Sequence, residues 1–250
     1  MKDAGENLVT HGVTRLHLTL KPLIATLGFG GLLVCLGTLI GIAKLSNEVL
    51  EQESFRFDTT LLLAIHRWAS PDLDRIMQAI TQLGNPGFVV PLTGICLLGL
   101  WWRHRRHEAY VLTICALGGA ILSTGLKLVF SKPRPQLWTP VIHEITYSYP
   151  SGHALGSMVL YGFLAYLCAR RYPRWRVLVY SIVSILILAI GLSRLYLGVH
   201  WPSDVIGGYG IGFLWLYICT RLAELPWQRS CGEQQKLQAT RSLPPHNHEL

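Results

Sequence analysis

Three short clusters of polar residues interrupt this chain where apolar sequence would be expected to continue. Lys127-Leu-Val-Phe-Ser-Lys-Pro-Arg134-Pro135 closes one apolar run. Tyr149-Pro150-Ser151-Gly152-His153 opens the next. Ser193-Arg194, then His200, then Trp201-Pro202-Ser203-Asp204 join two more. Lys127, Arg134 and Arg194 are three cations with no matched set of carboxylates near them in sequence. Fixed positive charges in a partly dry pocket call for an anion of high charge, and phosphate fits. Arginine offers a planar fork of donors and lysine a point charge. Ser151 and the Gly152 amide stand at a predicted helix start, where unpaired N–H groups face an anion. Glycine there lets the backbone approach closely.

Two histidines and a carboxylate complete the set. Pro202 suits the first turn of a helix, which places Asp204 in that opening turn, four residues after His200. From there Asp204 can accept a hydrogen bond from one ring nitrogen of His200, fixing the tautomer and freeing the other nitrogen as a nucleophile. His153 faces this pair from the helix it opens and can give a proton to a leaving oxygen. Phosphoryl transfer needs mainly positioning and charge stabilisation. No aspartate-rich motif or metal-ligand spacing accompanies the set, so neither a metal nor a cofactor is expected.

Each residue alone has a plainer explanation. A lysine near the end of an apolar span commonly snorkels to the interface, and Lys132, outside the spacing pattern, is read that way. Ser-Gly at a helix start is most often a cap, and His200 with Asp204 could be a bare structural pair. The convergence of all three clusters on one face of a bilayer is what favours a site.

That convergence depends on the elements between the clusters. Of 250 residues, half are hydrophobic and only 14% are charged, and the mean hydropathy is +0.35. Soluble domains carry roughly a quarter charged residues, so a soluble globule and a disordered chain are both excluded. A helix needs about 20 apolar residues to cross a bilayer. Leu23–Ala43, Gly87–Trp102, Ala109–Phe130, Ala154–Ala169, Val177–Leu197 and Val205–Thr220 are the candidate spans, three of them short enough to need help from neighbouring residues. The expectation is an all-α, six-span transmembrane helical bundle, with Leu23–Ala43 retained as an anchor and not cleaved as a signal peptide.

Charge sidedness orients the bundle. The N-terminus, Arg103–Glu108, Arg170–Arg176 and the tail after Thr220 together hold fourteen of the 22 Lys and Arg residues and account for the whole net charge of +8. This basic side is expected to be cytoplasmic, with both termini inside and the three clusters facing out. The net charge is thus an orientation signal and not a nucleic-acid surface, and no nucleic-acid partner is expected. The reading by segment is 1–22 as a cytoplasmic N-terminal segment, 23–220 as the membrane domain and 221–250 as a cytoplasmic, disordered tail. Within 44–86, Phe57–Ile65 and Leu73–Leu83 read as two amphipathic helices on the outer surface, ended by the breaker Gly84–Pro86. The six cysteines form no C-x-x-C pair and read as small packing residues. Gly37-x3-Gly41 and Gly208-x3-Gly212 read as close packing inside the bundle in preference to dimerisation, and no obligatory protein partner is evident.

With these residues in hand, the chain resembles the type-2 phosphatidic acid phosphatases, the membrane lipid phosphatase family related to vanadium haloperoxidases. That family's signature is K-x6-R-P, then P-S-G-H, then S-R-x5-H-x3-D. Lys127 with Arg134-Pro135, Pro150 to His153, and Ser193-Arg194 with His200 and Asp204 match it with no position missing. The resemblance implies a vanadium-haloperoxidase-like helical core and a site at the membrane surface, facing the extracytoplasmic side in bacterial members. It further implies that His200 attacks phosphorus and forms a phosphohistidine, that Asp204 orients it, and that His153 protonates the leaving group. Lys127, Arg134, Arg194, Ser151 and Gly152 would hold the phosphoryl oxygens, without a metal. The implied substrate is a lipid phosphate or pyrophosphate: undecaprenyl pyrophosphate first, otherwise phosphatidylglycerol phosphate, phosphatidate or diacylglycerol pyrophosphate. A lipid phosphotransferase and a non-catalytic lipid-phosphate binding or transport protein remain open beside it.

Overall fold

The computed structural model describes residues 29–51, 55–138 and 144–225, and all the regular elements among them are helical. They are α1 (Phe29–Glu51), α2 (Phe55–His66), α3 (Pro71–Gln82), α4 (Pro86–Trp102), α5 (Arg106–Phe130), α6 (Gly152–Arg171), a 3-10 turn (Pro173–Trp175), α7 (Arg176–Tyr196) and α8 (Pro202–Glu224). Six stretches are long and apolar enough to cross a bilayer. The protein is a multi-pass, all-α membrane protein.

Two boundaries differ from the sequence expectation. Helix α1 runs on to Glu51, so the connection predicted to begin at Lys44 starts later, while residues 23–28 of the first predicted span lie outside the described residues. The second apolar stretch covers Pro71–Trp102, 32 residues, because α3 and α4 are separated only by residues 83–85. The Asn85 side chain accepts from Gly87 N at 2.9 Å and Pro86 opens α4, which restarts the helix at once. Two spans that look short in sequence are 20 and 23 residues long, Gly152–Arg171 and Pro202–Glu224, and polar residues at their ends supply the extra turns. The segments 1–22 and 226–250 lie outside the described residues.

The bundle is arranged with oil outside and polarity inside. Val90, Leu98, Ile121, Val129 and Val177 are each about two-thirds exposed or more, as a lipid-facing surface requires. Ser157, Ser193, Arg194, His200, Ser203 and Asp204 are buried. Helix α6 is the centre: it packs on α8, α7 and α5, and one apolar cluster joins Leu112 and Cys115 of α5, Leu155, Val159 and Phe163 of α6, and Cys219 of α8.

Helices α6 and α8 approach closely because α8 presents glycine on that face. A Cβ added at Gly208 would lie 2.7 Å from the Ser151 carbonyl oxygen, and one at Gly212 would lie 3.0 Å from that of Leu155. Both glycines therefore serve packing within the bundle. Gly37 and Gly41 differ: an added Cβ at either meets nothing within 4 Å among the described residues, so that pair is not used in the same way.

Because the Gly208 neighbour is backbone, it cannot swing aside. Gly208→Ala is expected to cost about 1–3 kcal/mol of overpacking and to part the two helices that begin at Ser151 and Pro202. Thermal unfolding in detergent should show a Tm several degrees below wild type, with activity falling in step, and an unchanged Tm would contradict the close packing.

Candidate active site

The site forms where α5 ends, α6 and α8 begin, and α7 ends. Ser131 ends α5 in a left-handed turn (φ 45°), after which the chain crosses the bundle mouth through Arg134 and returns along residues 144–151 to the start of α6. Asp204 occupies the third position of α8, and its Oδ2 accepts from the Trp201 backbone N–H at 2.8 Å. This is half of a capping box. It fixes the carboxylate beneath the loop that carries His200.

His200 is buried, 1% exposed, and its two ring nitrogens have different partners. Nδ1 lies 3.3 Å from Asp204 Oδ2 and 3.5 Å from Ser148 Oγ. The Ser148 hydroxyl donates a short hydrogen bond to the same carboxylate oxygen. Nε2 lies 3.4 Å from Arg134 Nη1. A carboxylate on Nδ1 holds the proton there, so Nε2 keeps its lone pair and points it toward a guanidinium. Burial pushes His200 down to about 4; the Asp204 carboxylate acts the other way, and Arg194 and Arg134 add to the lowering. The ring is neutral at pH 7.

The cations surround this nitrogen. Arg134 is anchored by carbonyls: Nε donates to Thr146 O at 2.7 Å, Nη1 to Val199 O at 2.6 Å. Lys127 reaches from α5 to Tyr147 O at 2.5 Å and Thr146 Oγ1 at 3.4 Å. Arg194, at the end of α7, is 1% exposed and donates to Thr81 Oγ1 at 2.8 Å and to Glu144. Its Nε has no hydrogen-bond partner.

Ser151 caps α6 through Ala154 N at 3.5 Å and donates its own N–H to Asp204 O at 3.0 Å. A Cβ added at Gly152 would lie 3.9 Å from Lys127 Cε, which puts the α6 N-terminus under that lysine. His153, in the first turn of α6, is 9% exposed, its Nε2 has no hydrogen-bond partner, and the charges of Arg194, Lys127 and Arg134 all reach it. The turn at Gly84, between α3 and α4, makes room for it, since a Cβ there would lie 2.9 Å from His153 Cδ2. Two nitrogens without hydrogen-bond partners, Arg194 Nε and His153 Nε2, thus lie at the same mouth as the His200 lone pair. Among the described residues, no group of three or more His, Cys, Asp or Glu is placed to hold a metal ion.

Comparison with known proteins places the chain in a family. Residues 95–227, just over half the chain, match the PAP2 superfamily. The protein is a member of the PAP2 superfamily. Phosphatidylglycerophosphatase B of Bacillus subtilis (strain 168) is 30% identical over 151 residues, 59% of this chain and 74% of that one. Undecaprenyl-diphosphatase BcrC of the same organism is 27% identical over 157 residues, 61% of this chain and 76% of that one. The crystal structure of a transmembrane PAP2-type phosphatidylglycerolphosphate phosphatase from Bacillus subtilis superposes with a TM-score of 0.73 at 26% identity, covering 78% of this chain and 98% of that one.

The PAP2 chain brings all eight residues singled out by spacing to this mouth, and it corrects two readings. The three cations do have a carboxylate: Glu144 accepts from Arg194 and lies 3.8 Å from Arg134. Burial would raise its carboxyl, but the two guanidiniums outweigh that and hold it below its ordinary value, so it is ionised. Lys132 does not snorkel. It is 4% exposed and ion-paired to both Asp58 and Asp204. The Glu144–Arg194, Ser148–Asp204, Asp58–Lys132 and Thr81–Arg194 contacts are not readable from spacing because the partners lie 50 or more residues apart in sequence. The one available signal was Asp58 itself, an acid beside the apolar stretch of α2.

His200 titrates near 4 in the folded protein and at its ordinary 6.5 when unfolded. Between those values the unfolded chain binds the extra proton, so this group's contribution to stability is present above about pH 6.5 and lost as pH falls toward 4. In a ring-nitrogen NMR titration, His200, assigned by the loss of its signals in His200→Gln, should show a midpoint near pH 4. A midpoint at 6.5 or above would mean that the ring is solvated and charged near neutrality.

Proposed function

We propose that this PAP2 protein hydrolyses the phosphate or pyrophosphate group of a membrane lipid through a phosphohistidine at His200, without a metal. The observation that carries the reading is the His200 ring, with Nδ1 at 3.3 Å from Asp204 Oδ2 and Nε2 at 3.4 Å from Arg134 Nη1. An anion held by Arg134 is therefore presented to the one nitrogen that has a free lone pair.

The steps follow from that geometry. Arg134, Arg194 and Lys127 take the phosphoryl oxygens, with the Gly152 amide and the Ser151 end of α6 as further donors. For this Glu144 must leave the two guanidiniums, because a carboxylate and a phosphoryl group compete for the same donors. The Nε2 lone pair forms a bond to phosphorus while the bond to the leaving oxygen breaks, and His153 gives that oxygen a proton. The imidazolium that develops keeps its Nδ1–H on Asp204. Water then attacks phosphorus, His153 takes its proton, the P–N bond breaks, and phosphate leaves. Stabilising the spread-out charge of the transferring group is the main demand of this reaction, and three buried or half-buried cations meet it.

The substrate class rests on the membrane setting and on the relatives named above. A lipid diphosphate such as undecaprenyl pyrophosphate is placed first, and phosphatidylglycerol phosphate, phosphatidate and diacylglycerol pyrophosphate are the other members of the panel. The distribution of Lys and Arg supports a plasma-membrane protein with both termini cytoplasmic and the site on the extracytoplasmic side.

Phosphate release by the purified protein across that panel is the direct test. His200→Ala is expected to abolish release and His153→Ala to lower kcat by about 10²–10⁴-fold, the range of acid–base catalysis, while both variants fold. Wild-type protein quenched in acid-free medium with a labelled substrate should carry label on His200, and millimolar EDTA should leave the rate unchanged. Full turnover by His200→Ala would refute the nucleophile, and a strict requirement for added magnesium would refute the metal-free route.

A further inference from the structure

A second charged cluster lies directly behind the Asp204–His200 pair. Lys132, Asp58 and Ser203 are 4%, 0% and 1% exposed. The Lys132 ammonium donates to Ser203 Oγ at 2.7 Å and to Asp58 Oδ2 at 3.3 Å, and it lies in ion-pair contact, 3.1 Å, with Asp204 Oδ1, an oxygen with no hydrogen-bond partner. Ser203 in turn donates its hydroxyl to Asp58 Oδ2 at 2.5 Å and its N–H to Asp58 Oδ1 at 2.9 Å. The face of the Trp201 ring lies 5.7 Å from the ammonium. Two carboxylates and one lysine are thus sealed together by residues from α2, the loop after α5, and the start of α8.

We propose that Lys132, held by Asp58 and Ser203, is a positioning residue for the Asp204–His200 pair. The inference rests on the nucleophile assignment above. Asp204 divides its oxygens: Oδ2 serves His200, Ser148 and the Trp201 amide, and Oδ1 serves Lys132. With the ammonium 3.1 Å from Oδ1, turning the carboxylate about its bond to Cβ would disturb that ion pair, which favours the setting in which Oδ2 is aimed at Nδ1. The ammonium also draws off part of the carboxylate charge, which keeps the Nδ1 proton on the ring and the Nε2 lone pair available. Asp58 is what makes Lys132 a dependable partner. It takes the second proton of the ammonium, and Ser203, bound to both, fixes their separation. A simple tie between α2 and α8 could be made by apolar side chains without the desolvation of three charges. A carboxylate that must hold one orientation needs the charge.

The experiment separates holding the fold from aiming the ring. Lys132→Met leaves Asp58 as a buried, unpaired charge, so it is expected to lower both Tm and kcat. Lys132→Met/Asp58→Asn removes that stray charge. It should recover Tm yet keep kcat about ten- to a hundred-fold below wild type, the loss seen when the outer partner of an orienting group is removed. Because the phosphate cradle is intact, KM and inhibition by inorganic phosphate should stay within about two-fold of wild type by the same argument. In single-turnover mixing, formation of the labelled His200 adduct should slow by the same factor as kcat. Ser203→Ala, which removes no charge, should slow the same step several-fold and serves if the lysine variants fail to fold.

Two results would overturn the proposal: a double variant, or Ser203→Ala, with wild-type adduct formation, or a loss appearing in KM with kcat unchanged. If wild-type protein forms no adduct on His200, the nucleophile assignment fails, which is a separate result from unequal rates between variants that do form it.

Discussion

The constraint on which this site depends is a carboxylate with no access to water. Asp204 is fully buried near the mouth of a membrane bundle, where an ionised group without partners is prohibitively costly. It is tolerated because four groups from three places in the chain converge on it: the Trp201 amide and the His200 ring just before it in sequence, and the Ser148 hydroxyl and Lys132 ammonium from the long loop. Solving the solvation of Asp204 therefore also fixes Lys132 and Ser148 against the start of α8 and the tautomer of His200. The same contacts hold the fold and the geometry of the mouth.

The excess of cations is the complementary problem. Lys127, Arg134 and Arg194 face one another across a small mouth, and the protein meets this in two ways. Lys127 and Arg134 rest on backbone carbonyls, which lend partial negative charge without competing as ions. Arg194 is given Glu144, from a loop position that is still about a quarter exposed at the side chain. The first kind of compensation is permanent, because the carbonyls belong to turns that define the site. The second is less fixed, because the Glu144 side chain still reaches water. A site so built offsets its cations enough to fold while keeping their donors near the surface.

How much of this was legible in the sequence depends on the range of the interaction. His200 with Asp204, and Ser151 with Gly152 and His153, are separated by a helical turn or less, so spacing alone gives their arrangement. The six apolar stretches follow from composition, although α1 extends to Glu51 and α3 runs almost into α4, because end residues follow caps and packing, not hydropathy. Lys132 was misjudged because a lysine near a span end has a common, harmless behaviour, and only its distant partners reveal another. Asp58 lies 145 residues from Ser203. Nothing local to either residue specifies that contact; the packing of α2 over the start of α8 does.

That packing bears on where the functional unit begins. The superfamily match covers residues 95–227 and contains all three motifs. Asp58, Thr81 and Gly84 precede it, yet each touches the site: Asp58 through Lys132, Thr81 through the Arg194 guanidinium, and Gly84 by yielding space to the His153 ring. The Leu83 carbonyl also receives the Tyr161 hydroxyl of α6 at 2.6 Å. Helices α2 and α3 are thus one wall of the mouth and not an appendage, since removing them would leave Arg194, Lys132 and His153 facing lipid or water without these contacts. The motifs supply the cations and imidazoles of the mouth, and the preceding helices supply the buried contacts that let those groups keep one geometry.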